Sequence, residues 1–229
     1  MKKYLAEAIG TAVFCFIGCG AIIIGAFPGD FPLGLLPIGL AFGLAITAMA
    51  FAIGPVSGCH INPAITVAML VAGRLKPAEA PFYVAAQVLG AIVGCAILAG
   101  LLTTRVGGYS IEAAGLGETM WNPAGGFFMS GALIAELVGT FILALVVLGA
   151  TQKGHTLPPA GLVIGLTFTI LTLAFFPVSG ASFNPARSLA TALFVGGEAL
   201  GQVWLYLIAP IIGGAVAGLL FRFGLLSAE

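Results

Sequence analysis

Pro55-Val56-Ser57-Gly58-Cys59-His60-Ile61-Asn62-Pro63-Ala64 decides the fold, and it recurs as Pro177-Val178-Ser179-Gly180-Ala181-Ser182-Phe183-Asn184-Pro185-Ala186. Asn is a strong helix N-cap and Pro is favoured at the first helical position, so each Asn-Pro-Ala predicts a helix start. The apolar runs that follow, about 62–73 and 184–195, are short. A helix crossing the hydrocarbon needs roughly 20 residues. A run of about 12 residues at 1.5 Å rise reaches about 18 Å. Two such helices end to end reach about 36 Å, close to a bilayer's thickness.

Six longer apolar runs flank these two, at about 5–27, 33–54, 79–102, 128–151, 159–177 and 200–223. Each is long enough to span a membrane. Composition agrees: 60% of the 229 residues are hydrophobic, 7% are charged, and mean hydropathy is +1.18. Soluble domains carry about 25% charged residues. The 34 glycines suit helices packed closely in lipid. A formal net charge of zero gives no basic surface for nucleic acid. The start Met1-Lys2-Lys3 resembles a secretory signal, but the run is too long for a cleaved one and contains Glu7. It reads as a retained first span.

The two halves repeat. AEAIGT at 6–11 matches AELVGT at 135–140, GLAFGLAIT at 39–47 matches GLVIGLTFT at 161–169, and Tyr83 to Gly90 echoes Tyr206 to Gly213. The spacing predicts a single transmembrane domain over 1–229, with repeat 1 at about 1–104, an external connecting loop at about 105–127 and repeat 2 at about 128–229. Three spans per half is an odd number, so the second half enters the membrane from the opposite side. Such inverted repeats place a site near the midplane between discontinuous helices. The expected fold is an all-α membrane protein of six transmembrane helices with two re-entrant half-helices. Lys2, Lys3, Arg74, Lys76, Lys153 and Arg222 fall on one side when the spans alternate, while Asp30, Arg105, Glu112, Glu118 and Glu198 fall on the other. Cations favour the cytoplasm, so both termini are expected inside a cell membrane.

The stretches 55–61 and 177–183 are expected to be non-helical. Irregular backbone at membrane depth survives where it lines a water-filled cavity or is buried in protein. Gly58, Cys59, His60, Ile61, Gly180, Ser182 and Phe183 would then line a pore with carbonyl acceptors. The amides of Asn62 and Asn184 would add donors at its centre. Each helix N-terminus carries roughly half a positive charge. Two of them facing each other repel cations, and a water accepting from both amides is oriented so that proton hopping is broken.

These motifs resemble the aquaporin (major intrinsic protein) family, in the style of its compact prokaryotic water channels, over essentially the whole chain. The resemblance implies a six-helix bundle with two half-helices, a homotetramer in the lipid bilayer with one pore per subunit, and water as main permeant. Arg187, directly after the second Asn-Pro-Ala, then belongs to a selectivity constriction with Phe42, Thr172 and Ala181. Thr172 stands where water-selective members often bear His, and Ala181 where Thr or Cys is common. The constriction should be wider than in a strict water channel, with glycerol, urea, ammonia and hydrogen peroxide as candidate solutes. Ser188 and Ala192 stand where glycerol facilitators have Asp and a basic residue, which favours water. Leu207 departs from the Trp usual in water channels.

By the same resemblance, Glu7 and Glu136 accept hydrogen bonds from the re-entrant backbones. A proton relay is the alternative for buried carboxylates. His60 is either a pH-sensing group or a ring bonded to loop backbone. Cys59, at the position equivalent to Ala181, is either a pore-side mercurial target or a packed loop residue. Cys15, Cys19 and Cys95 read as small buried residues. Asn122-Pro123-Ala124 is a third occurrence of the motif, but it lacks the Pro-Val-Ser-Gly lead and reads as a turn in the connecting loop. No catalytic motif, metal site or cofactor is expected. The rivals are a glycerol-type facilitator and, in another class, a structural membrane protein.

Overall fold

The computed structural model describes residues 1–26, 34–122, 125–152 and 159–226. Among them the chain is all helix, without strands. Six helices are long and apolar enough to cross a membrane: α1 (Lys2–Ile24), α2 (Leu35–Ser57), α4 (Ala80–Thr103), α6 (Met129–Ala150), α7 (Ala160–Ser179) and α9 (Gly197–Arg222). Two short helices, α3 (Pro63–Val71) and α8 (Pro185–Val195), start at the Asn-Pro-Ala prolines. A four-residue helix, α5 (Ile111–Ala114), lies in the connecting segment and was not anticipated.

The expectation for 55–61 and 177–183 is corrected at its first three positions. Pro55 and Pro177 lie inside α2 and α7, which run on to Ser57 and Ser179. A proline forfeits its own amide bond and crowds the carbonyl four residues back, yet in apolar surroundings the helix remains the cheapest way to keep neighbouring amides paired. Each helix ends only where glycine permits a left-handed exit: Gly58 at φ 87° and Gly180 at φ 78°, their N–H groups bonded to Gly54 O and Phe176 O.

The repeat reappears in the packing. α1 lies on α4 as α6 lies on α9, and α2 crosses α7. Glycines make these approaches possible. A Cβ at Gly90 would fall 2.1 Å from Ala8 O, and one at Gly213 would fall 2.2 Å from Leu137 O. At the α2–α7 crossing, Thr47 Oγ1 donates to Gly161 O at 3.2 Å and Thr169 Oγ1 to Gly39 O at 3.0 Å. These are equivalent positions in the two halves, so the crossing is a quasi-two-fold contact sealed by two matching interhelical hydrogen bonds.

One end of the bundle gathers cations. Lys3 Nζ meets Glu79 Oε1 at 2.6 Å. The Lys3 ammonium holds the Glu79 carboxyl below its ordinary value. Arg74 donates to Leu148 O at 2.7 Å near the end of α6, and Arg222 lies 3.4 Å from Val71 O at the end of α3. Cations at helix C-termini complement the helix dipole. Lys153 and Asp30 lie outside the described residues, as do Pro123 and Ala124 of the third motif. Next to that motif, Gly125 N–H donates to Asn122 O at 2.9 Å.

Candidate functional site

The two half-helices meet through their caps. Asn62 Oδ1 accepts from Ala64 N at 2.8 Å, and Asn184 Oδ1 accepts from Ala186 N at 3.1 Å. Each amide nitrogen then reaches across to the other half. Asn62 Nδ2 donates to Phe183 O at 2.7 Å, and Asn184 Nδ2 donates to Ile61 O at 2.9 Å. An amide nitrogen carries two hydrogens, so one on each Asn remains for another acceptor.

The segments before the caps are left-handed at Cys59, Ile61, Ala181 and Phe183, with φ between 43° and 51°. Such backbone costs on the order of 1–3 kcal/mol per non-glycine residue and persists only where its surroundings over-determine it. Two buried carboxylates supply that determination. Glu7 accepts from Ser57 Oγ (2.6 Å), His60 N (2.9 Å), Ile61 N (2.6 Å) and Gln87 Nε2 (2.8 Å). Glu136 accepts from Ser179 Oγ (2.7 Å), Ser182 N (2.8 Å) and Phe183 N (2.7 Å). Tyr83 and Tyr206 donate to Ser57 O and Ser179 O, again at equivalent positions. With the amides turned to the glutamates, the carbonyls of Gly58, Cys59, His60, Gly180, Ala181 and Ser182 accept no hydrogen bond from the described residues.

Glycines also seat the side chains of these segments. A Cβ at Gly10 would fall 2.7 Å from the Ile61 side chain, and one at Gly139 would fall 2.3 Å from the Phe183 ring. Gly10 and Gly139 are equivalent in the repeat.

A cavity of about 280 Å³ runs up to the paired caps. Gly58, Cys59, His60, Ile61, Asn62 and Asn184 border it on the polar side, and Phe14, Ile46, Leu143, Val147 and Phe168 form an apolar wall. His60 sits here with Nδ1 3.2 Å from Thr66 Oγ1 and its ring 4.9 Å from that of Tyr83. Cys59 is half-buried, whereas Cys15, Cys19 and Cys95 are fully buried.

Phe42, Thr172, Ala181 and Arg187 do not border this cavity. Arg187 is 1% exposed, and none of its three guanidinium nitrogens finds a hydrogen-bond partner among the described residues. Its Cζ stands 5.7 Å over the Phe42 ring. Five N–H donors thus lie in a nearly closed site without a hydrogen-bond acceptor among the described residues. Thr172 turns its hydroxyl back onto Phe168 O at 2.9 Å. Phe42 packs on Phe14 and Phe168 at centroid distances of 5.2 and 5.6 Å, and Gly18 leaves the room for its ring.

Sequence reasoning missed Gln87, Phe14 and Phe168. For Gln87 a signal existed: a lone amide within an apolar span. The two phenylalanines carried none, because apolar residues on a membrane helix look alike until the packing is known.

Known proteins are similar to this chain in sequence and fold. Aquaporin Z of Bradyrhizobium diazoefficiens is 42% identical over 228 residues, covering 97% of this chain and 93% of that protein. Aquaporin Z of Rhodopseudomonas palustris is 41% identical, covering 96% and 92%. The crystal structure of the aquaglyceroporin from Plasmodium falciparum superposes with a TM-score of 0.85 at 26% identity, over 96% of this chain and 95% of that one. The family model described as major intrinsic protein matches residues 1–221. A match that takes in both capped half-helices and all six long ones has one reading: this chain belongs to the major intrinsic protein family.

Proposed function

We propose that this chain is a passive multi-pass membrane channel conducting water and small neutral solutes and excluding ions and protons. The observation that carries it is the reciprocal bonding of Asn62 and Asn184, which ties two helix N-termini together at the end of a cavity. The spare amide hydrogens can orient one water there, while the two positive helix ends oppose a cation. The names of the relatives, two aquaporins and an aquaglyceroporin, support the same reading. Gly58, Cys59 and His60, with Gly180 and Ser182, supply the free acceptors along the route, while Ile61 and Phe183 line it with carbonyls that take the amides of Asn184 and Asn62. Phe42, Thr172, Ala181 and Arg187 form the constriction. Glu7 and Glu136 hold the loops. The functional unit is a homotetramer in the cell membrane with both termini cytoplasmic.

Stopped-flow light scattering on proteoliposomes is the test. Vesicles carrying the protein should shrink much faster than empty ones under an osmotic gradient, with no added proton flux. Shrinkage at the rate of empty vesicles would leave a structural membrane protein as the reading. Thr172 supports a second permeant class: its hydroxyl is occupied by Phe168 O and it lacks the bulk of an imidazole. Glycerol and urea should therefore pass detectably.

A further inference from the structure

The two half-helices are held by different hydrogen-bond chains. In the first half, Thr66 is the hub. Gln87 Nε2 donates to Thr66 Oγ1 at 2.9 Å, and Thr66 Oγ1 lies 3.1 Å from Asn62 O and 3.2 Å from His60 Nδ1. Gln87 also reaches Glu7, so the chain closes on the carboxylate. The repeat makes His60 equivalent to Ser182, Thr66 to Ser188 and Gln87 to Pro210. A proline offers neither a side-chain donor nor an amide hydrogen. α9 therefore cannot supply the second half with what α4 supplies to the first.

Thr119, from the connecting segment, fills the vacancy. Its Oγ1 lies 2.7 Å from Ser188 Oγ. Ser188 Oγ bonds Ser182 Oγ, and Ser182 Oγ bonds both Asn184 O (3.0 Å) and Asn184 N (3.3 Å). Thr119, Ser182 and Ser188 are at most 3% exposed. Thr119 also wedges against the turn into Ala181: a Cβ at Gly180 would come 3.1 Å from Thr119 Cγ2. The segment is anchored on both sides. Leu116 is fully buried and its N–H donates to Glu118 Oε2 at 2.7 Å, while Trp121 N–H donates to Gln202 Oε1 at 2.8 Å.

Nothing among the described residues holds the Arg187 guanidinium by a hydrogen bond. Its position therefore depends on the Phe42 ring beneath it and on the backbone from Asn184 to Ser188. We propose that Thr119 is a positioning residue that fixes this turn through Ser188 and thereby sets the discrimination between water and larger neutral solutes. The proposal rests on the channel reading above. A contact made by the connecting segment, outside the repeat, thus governs selectivity in one half only.

The test compares Thr119→Val, Thr119→Ser and Ser188→Ala in proteoliposomes, with water and glycerol permeabilities measured on the same preparation. Thr119→Val should raise the glycerol-to-water ratio roughly three- to tenfold, the factor matching one neutral hydrogen bond. Thr119→Ser should return the wild-type ratio. Ser188→Ala should shift the ratio in the same direction, and the double variant Thr119→Val with Ser188→Ala should shift it no further. An unchanged ratio in Thr119→Val, or water and glycerol falling together in step with folded protein, overturns the proposal. If Thr119→Val does not fold, an unchanged ratio in Ser188→Ala overturns it. Failure of the unmutated protein to conduct water sinks the channel reading instead, and this proposal with it.

Discussion

Gly43 and Gly165 face each other across the α2–α7 crossing so closely that neither tolerates a side chain. A Cβ on Gly43 would stand 2.4 Å from Gly165 O, and one on Gly165 would stand 2.3 Å from Gly43 O. Both would collide with backbone, which cannot swing aside. Gly43→Ala and Gly165→Ala should each lower stability by about 1–3 kcal/mol through overpacking. Thermal unfolding in detergent micelles reads this, and an unchanged midpoint in both variants would contradict the crossing.

Asn62→Asp keeps the cap oxygen for Ala64 N–H but loses the donor to Phe183 O. It also places a carboxylate between two helix N-termini. Two unit charges 4 Å apart interact by about 4 kcal/mol at an intermediate dielectric, enough to change cation entry more than tenfold. Proton and cation leak into dye-loaded vesicles should rise by that order. Flux equal to wild type would show that the caps do not set the barrier.

Glu136→Gln leaves at least one of Ser182 N, Phe183 N and Ser179 Oγ without its charged acceptor. The loss should be about 1.5–3 kcal/mol, the worth of one charge-assisted bond. The unfolding midpoint should fall, while the glycerol-to-water ratio of the surviving protein stays at the wild-type value. A proton relay would instead show as altered proton flux with unaltered stability.

Thr172→His would add bulk and a ring donor at the proposed constriction. Glycerol permeability should fall relative to water by roughly tenfold or more, as expected where fit discriminates solutes by 1–3 kcal/mol. Proteoliposome swelling decides the matter, and a preserved glycerol rate would remove Thr172 from the solute's path.

Cys59 is the one cysteine that borders the cavity. A mercurial should slow water flux in the wild type, and Cys59→Ser should be insensitive. Block that survives this substitution would point to one of the fully buried thiols.

The six long helices, the two half-helices with their caps and the repeat frame are legible in the sequence, because Asn-Pro-Ala before a short apolar run has a local physical meaning, whereas the four-residue α5 is not. Ser57 and Ser179 look like loop in the sequence because each follows a proline, which commonly ends a helix. In apolar surroundings the helix instead ran on to the next glycine, Gly58 or Gly180. The Gly43–Gly165 contact was written in the repeat at 39–47 and 161–169, but only a pairing of α2 with α7 gives it consequence. Thr119 was illegible for a different reason. It lies in a segment without periodicity, and its partner Ser188 is 69 residues away.

The bond from Asn62 to Phe183 spans 121 positions of chain. At about 5–20 residues per second, a ribosome needs roughly 6–24 s to make the carbonyl that the amide of Asn62 awaits. Through that interval the newborn amino-terminal half keeps its own cap at Asn62 but lacks the acceptor for the amide of that residue. A fragment ending there is consequently a client for quality control rather than half of a working protein, and biogenesis of either half is completed only by the arrival of the other.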